Sequence, residues 1–83
     1  MDSNTTLYSI DEFDTALVEA ILQEVFLSLK EKGYDPVNQL VGYLMSGDPG
    51  YISSYQNARQ KIVSIDRSRI LEFLLRKVLG EKA

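Results

Sequence analysis

The 83-residue chain has no cysteine and no histidine. Without cysteine there is no disulfide, no thiolate nucleophile and no cysteine zinc site, and nothing points to an oxidising compartment. Without histidine the commonest general base and the commonest transition-metal ligand are both missing, so any chemistry would fall to carboxylates, hydroxyls, lysines and tyrosines. The opening MDSNTTLYS has no basic residue and no apolar core of a signal peptide. No run approaches eighteen uninterrupted apolar residues, so the expectation is a soluble cytoplasmic protein without membrane insertion. Strong positive charge is also lacking: nine basic against twelve acidic residues give a net charge of −3. No global field therefore draws the chain to phosphate backbones or anionic lipids.

What the chain does contain is helical pattern. Residues 1–8 are small and polar without periodicity and read as a flexible N-terminal tail that presents Thr5 and Thr6; residues 9–83 read as a single helical domain. Ser9 is placed to cap a helix, Asp11 and Glu12 suit its positive end, and strong helix formers continue to Lys32, where Gly33 stops them. Leu17, Val18, Ile21, Leu22, Val25 and Leu29 fill one broad face, and Phe13, Ala16, Ala20 and Leu27 extend a second apolar flank. Such an arc has two readings: neighbouring helices cover it, or one flank joins a subunit interface.

Asp35 followed by Pro36 opens a second helix through Val37, Leu40, Val41, Leu44 and Met45, which Ser46 and Gly47 end. The segment SGDPGY, Ser46 to Tyr51, has the composition of a tight turn and lacks the lysine and hydroxyl of a phosphate-cradling loop. Asn38, Gln39, Asp48 and Tyr51 beside it read as capping and structural groups. A third helix is predicted over Ser54 to Val63 with Ala58 and Ile62 inward. Asp66 is placed to cap a last helix, where Ile70, Leu71, Phe73, Leu74, Leu75, Val78 and Leu79 make a second wide arc before Gly80.

These elements predict an all-α fold, a compact bundle of four to five short helices. Excess apolar surface on the first and last helices of so small a chain predicts a symmetric homodimer. No carboxylate pair faces across a cleft and Asp48 stands alone in its turn, so no enzyme, metal or cofactor is expected. Two other classes stay open: a structural dimerisation module, and a helix-turn-helix-like nucleic-acid binder using Arg59, Lys61, Arg67, Arg69, Arg76 and Lys77.

The stretch EKGYDPVNQLVGYLMSGDPGYI, Glu31 to Ile52, followed by NAR at Asn57 to Arg59, resembles the signature of the IreB family, also called the ReoM or YrzL family. The resemblance implies a small helical homodimer acting downstream of a membrane serine/threonine kinase with extracellular PASTA domains, reversed by a phosphatase. It further implies control of peptidoglycan synthesis and antibiotic tolerance, through Clp-protease degradation of the UDP-N-acetylglucosamine carboxyvinyltransferase. Carried onto this chain, the modified tail threonine falls on Thr6 in TTLY, with Thr5 beside it. A phosphoryl group adds roughly −1.5 to −2 charges and needs a basic receiver, for which Arg59 and Arg67 are the candidates. The chain departs from the family where Ser53 and Ser54 replace the usual proline and arginine, and where Val63 and Ser64 replace usual basic residues.

Overall fold

Thirty residues with neither glycine nor proline between Ser3 and Lys32 form the first helix, α1. The computed structural model describes residues 3–81, with side chains described from Thr15 onward. Helix α1 begins six residues before the Ser9 start read from the pattern, so the backbone of Thr5 and Thr6 lies in its first turns; their side chains, and with them the tail reading, fall outside the described residues. Lys30 and Lys32 lie in the last turn, where cations complement the helix dipole. Gly33, at φ +93, ends the helix by donating its N–H to the Lys30 carbonyl.

Helix α2 spans Pro36–Ser46. Its start is the expected one: the Asp35 carboxylate accepts the Asn38 N–H at 3.1 Å and Pro36 occupies the first turn, where its missing donor costs nothing. It closes on Gly47, at φ +77, whose N–H donates to the Tyr43 carbonyl at 2.7 Å. Two 3₁₀ turns follow, Pro49–Tyr51 and Tyr55–Asn57. The predicted helix over Ser54 to Val63 survives only as α3, Ala58–Val63, because Gln56 and Asn57 are left-handed. Helix α4 spans Arg67–Leu79, ended by Gly80; Asp66 holds the N-cap position without a side-chain capping bond.

Among the described residues every regular element is helical, with four α-helices and no strand. α2, α3 and α4 each pack on α1. The core is Val25 and Leu29 of α1, Tyr43 of α2, Ile52, Ala58 and Ile62 around α3, and Ile70 of α4. Val18 is buried two turns further up α1. Ala58 and Ile62 are therefore inward as their spacing requires. No helix among the described residues is long and apolar enough to cross a membrane.

Leu29 is fully buried at the centre of this cluster. Leu29→Ala is expected to lower the unfolding free energy by about 2–5 kcal/mol, read from urea denaturation.

Candidate functional site

Two features of the surface stand out, an apolar trough and a clasped loop. The trough lies where α2 and α4 both rest on α1 without meeting along their length. Leu22 and Phe26 of α1 form its floor, Leu40 and Leu44 one wall, and Phe73 and Leu74 the other, around a volume of about 360 Å³. On a helical projection Val37 and Val41 continue the arc of Leu40 and Leu44, while Leu71, Leu75 and Val78 continue that of Leu74. These lips are exposed: Val37 by 62%, Met45 by 82%, Val78 by 80% and Leu79 by 71%. Glu19, Gln23 and Lys77 provide its polar edge, with the Lys77 ammonium 3.5 Å from the Glu19 carboxylate. That pair is solvated and contributes little to stability. An open apolar channel of this kind is wide enough to take side chains from a further helix and is larger than isolated surface leucines would explain.

The second feature is the loop from Ser46 to Ile52. It is built by local bonds: the Ser46 hydroxyl accepts the Asp48 N–H at 3.0 Å, and Asp48 Oδ1 accepts the Gly50 N–H at 2.9 Å. Tyr51 lies flat against α2 because Gly42 has no side chain; a Cβ there would stand 2.4 Å from the ring. Gln39 reaches across to accept the Ser53 N–H at 2.9 Å. Asp48, Gln39 and Tyr51 thus have the capping and packing roles their setting implied, and the main-chain N–H of Asn38 is the donor in the α2 cap.

Arg59 and Arg67 grip the two ends of this loop. Arg67 Nη1 donates to the Leu44 carbonyl at 3.1 Å, just before it, and Arg59 Nε donates to the carbonyl of its last residue, Ile52, at 2.8 Å. The Arg67 guanidinium also lies over Gly47, within 2.8 Å of where a Cβ would be. Both arginines are exposed, and a guanidinium has five N–H donors. One direct bond to a carbonyl leaves each with further N–H donors.

Lys61 and Arg76, like Lys77, are answered by carboxylates. Lys61 meets Glu24 at 3.3 Å, and Arg76 meets Glu72 at 3.2 Å and Glu81 at 3.0 Å. The residues that depart from the resembled pattern are small and polar or apolar here. Ser53 Oγ accepts the Tyr55 N–H, Ser64 Oγ donates to the Lys61 carbonyl, and Val63 is 42% exposed. No group of three or more acidic side chains among the described residues could hold a metal ion.

The width of the two apolar arcs was legible, but not that α2 and α4 would leave a trough between them. The role of Gly42 was also missed, although a glycine inside an amphipathic helix is the signal for a close approach.

A family model described as "IreB regulatory phosphoprotein" matches residues 3–80. A UPF0297 protein of Lachnoclostridium phytofermentans is 45% identical over 73 residues, which cover 88% of this chain and 83% of that relative.

Gly47 has φ +77 under a guanidinium. Gly47→Ala is expected to lower stability by about 1 kcal/mol or more, measured by thermal unfolding, and to loosen the Arg67 contact with Leu44.

Proposed function

Since the chain belongs to the IreB family, whose model covers residues 3–80, we propose that it is a phospho-controlled adaptor that acts by binding other proteins and catalyses no reaction. It is a small regulatory protein, and the trough is the observation that supports a binding role most directly. An amphipathic helix lies naturally in such a channel, with apolar anchors one turn apart. The first occupant in this reading is a second copy of the chain. The trough and the exposed lips of α2 and α4 are continuous, and a two-fold axis matches such a surface to itself.

The switch in this reading is a phosphoryl group on Thr6, or on Thr5 beside it, placed by a serine/threonine kinase of the PASTA type and removed by a phosphatase. Both threonines lie in the first turns of α1, where a phosphate meets the positive end of the helix dipole. Adding roughly −1.5 to −2 charges near pH 7 to a chain of net charge −3 alters which surfaces it attracts. Arg59 and Arg67 are the receivers, for the phosphate or for an acidic partner, through the donors their loop contacts leave unused. Downstream, the reading places the protein in the cytoplasm, as a brake on peptidoglycan synthesis. There it would promote Clp-dependent turnover of the UDP-N-acetylglucosamine carboxyvinyltransferase and so set tolerance to cell-wall antibiotics. Loss of positive charge at Ser54, Val63 and Ser64 leaves Arg59 and Arg67 a larger share of that contact.

The nucleic-acid reading finds less support. Lys61, Arg76 and Lys77, three of the six basic groups it would need, face carboxylates within 3.5 Å, and the chain is acidic overall.

Affinity capture from the organism's own cells with wild type, Thr6→Ala and Thr6→Glu tests the adaptor reading. Partner sets that differ between the Ala and Glu forms are expected; identical sets contradict a Thr6 switch, and the absence of any protein partner contradicts the adaptor. Self-association has its own test, because a dimer melts at a temperature that rises with concentration. Leu74→Glu, in the trough wall, is expected to abolish that dependence, whereas Val63→Glu, outside the trough, leaves it in place.

A further inference from the structure

The sequence from Ser54 to Val63 contains neither glycine nor proline, yet the chain does not run through it as one helix. Two adjacent residues with full side chains, Gln56 at φ +52 and Asn57 at φ +64, occupy the left-handed region and split it into a 3₁₀ turn and α3. Asparagine tolerates that region better than most residues, but glutamine has no such preference, and two in succession are uncommon.

One tertiary bond reaches this pair from outside the segment. Ser28 Oγ donates to Gln56 Oε1 at 2.8 Å. Ser28 sits on the inner side of α1 at 5% exposure and is the one buried polar residue among those described. The consequences converge on Arg59. In a regular helix its backbone N–H would bond four residues back, to Tyr55; here it reaches the Ser53 carbonyl at 3.1 Å. Its Nε turns the same way, to the Ile52 carbonyl at 2.8 Å.

We infer that Ser28 is the latch of a two-state segment. In the latched state the left-handed pair is held against α1 through Gln56, and Arg59 is folded back onto Ile52. In the released state Gln56 and Asn57 return to right-handed geometry and α3 grows by a turn towards Ser54. The Arg59 N–H then transfers to the Tyr55 carbonyl, and its guanidinium leaves Ile52 for solvent. Local preference favours the released state, since Tyr55, Gln56, Ala58, Arg59 and Gln60 are all compatible with a helix interior. The tertiary bond opposes it. The device is independent of any modification at Thr6 and governs whether the Arg59 side chain is engaged or free.

Ser28→Ala in the full-length chain tests the latch, with NMR of the Arg59 Nε–H and circular dichroism at 222 nm as readouts. Alanine is at least as good as serine inside a helix, so α1 is retained. The expected result is at least tenfold faster exchange of the Arg59 Nε–H, together with a gain of about one helical turn in ellipticity. Adding Asn57→Gly to Ser28→Ala should restore the slow exchange, because glycine takes positive φ without the side-chain clash. Unchanged Nε–H exchange in Ser28→Ala overturns the inference. So does faster exchange without the gain in helix, or faster exchange that Asn57→Gly fails to reverse, since either would make Ser28 only a structural hydroxyl.

Discussion

Every other helix of this protein rests on α1, and α1 offers more apolar surface than three short helices can cover. Val18, Val25 and Leu29 face the core, and Leu22 and Phe26 line the trough beside it, so an arc of about 100° of the helix seeks cover. α3 closes one side with Ala58 and Ile62. α2 and α4 approach the other side and meet only where Arg67 reaches Leu44, and the gap along the rest of their length is the trough. Among the described residues no further element closes it, and burial per residue is low in a unit of this size. The exposed lips at Val37, Met45, Leu74 and Val78 follow from that shortage.

Loop geometry depends on the same frame. The segment Ser46 to Ile52 has its own turn bonds, yet its ends are set by Arg67 on Leu44 and Arg59 on Ile52, side chains delivered by α4 and by α3. The two arginines read from sequence as phosphate or partner contacts therefore also shape the loop that contains the family signature. Replacing either would alter the loop as well as any contact it makes, which is why the donors they leave unused matter to the proposed switch.

Much of the fold was legible in local chemistry. Asp35 with Pro36 opens α2, and Gly33, Gly47 and Gly80 end α1, α2 and α4, all three at positive φ. Those signals act within a few residues, so pattern alone finds them. Where the reading differed, the cause lay elsewhere in the chain. Asp66 is in the capping position but makes no capping bond, and the helix predicted from Ser54 begins only at Ala58, two positions after the residue that Ser28 holds from 28 positions away. Likewise Leu27 and Leu79 were apolar in pattern and are exposed in fact, because periodicity gives the width of an apolar arc and not the helices that will cover it. Of the candidate site, Arg59 and Arg67 were named and the trough was not, since it belongs to three helices at once.

The central claim is that the trough between α2 and α4 is closed by a second copy of the chain. Light scattering coupled to size exclusion, on the full-length protein at micromolar concentration, measures this most directly. The account predicts twice the 9.4 kDa mass of one chain; a single-chain mass across that range would contradict it.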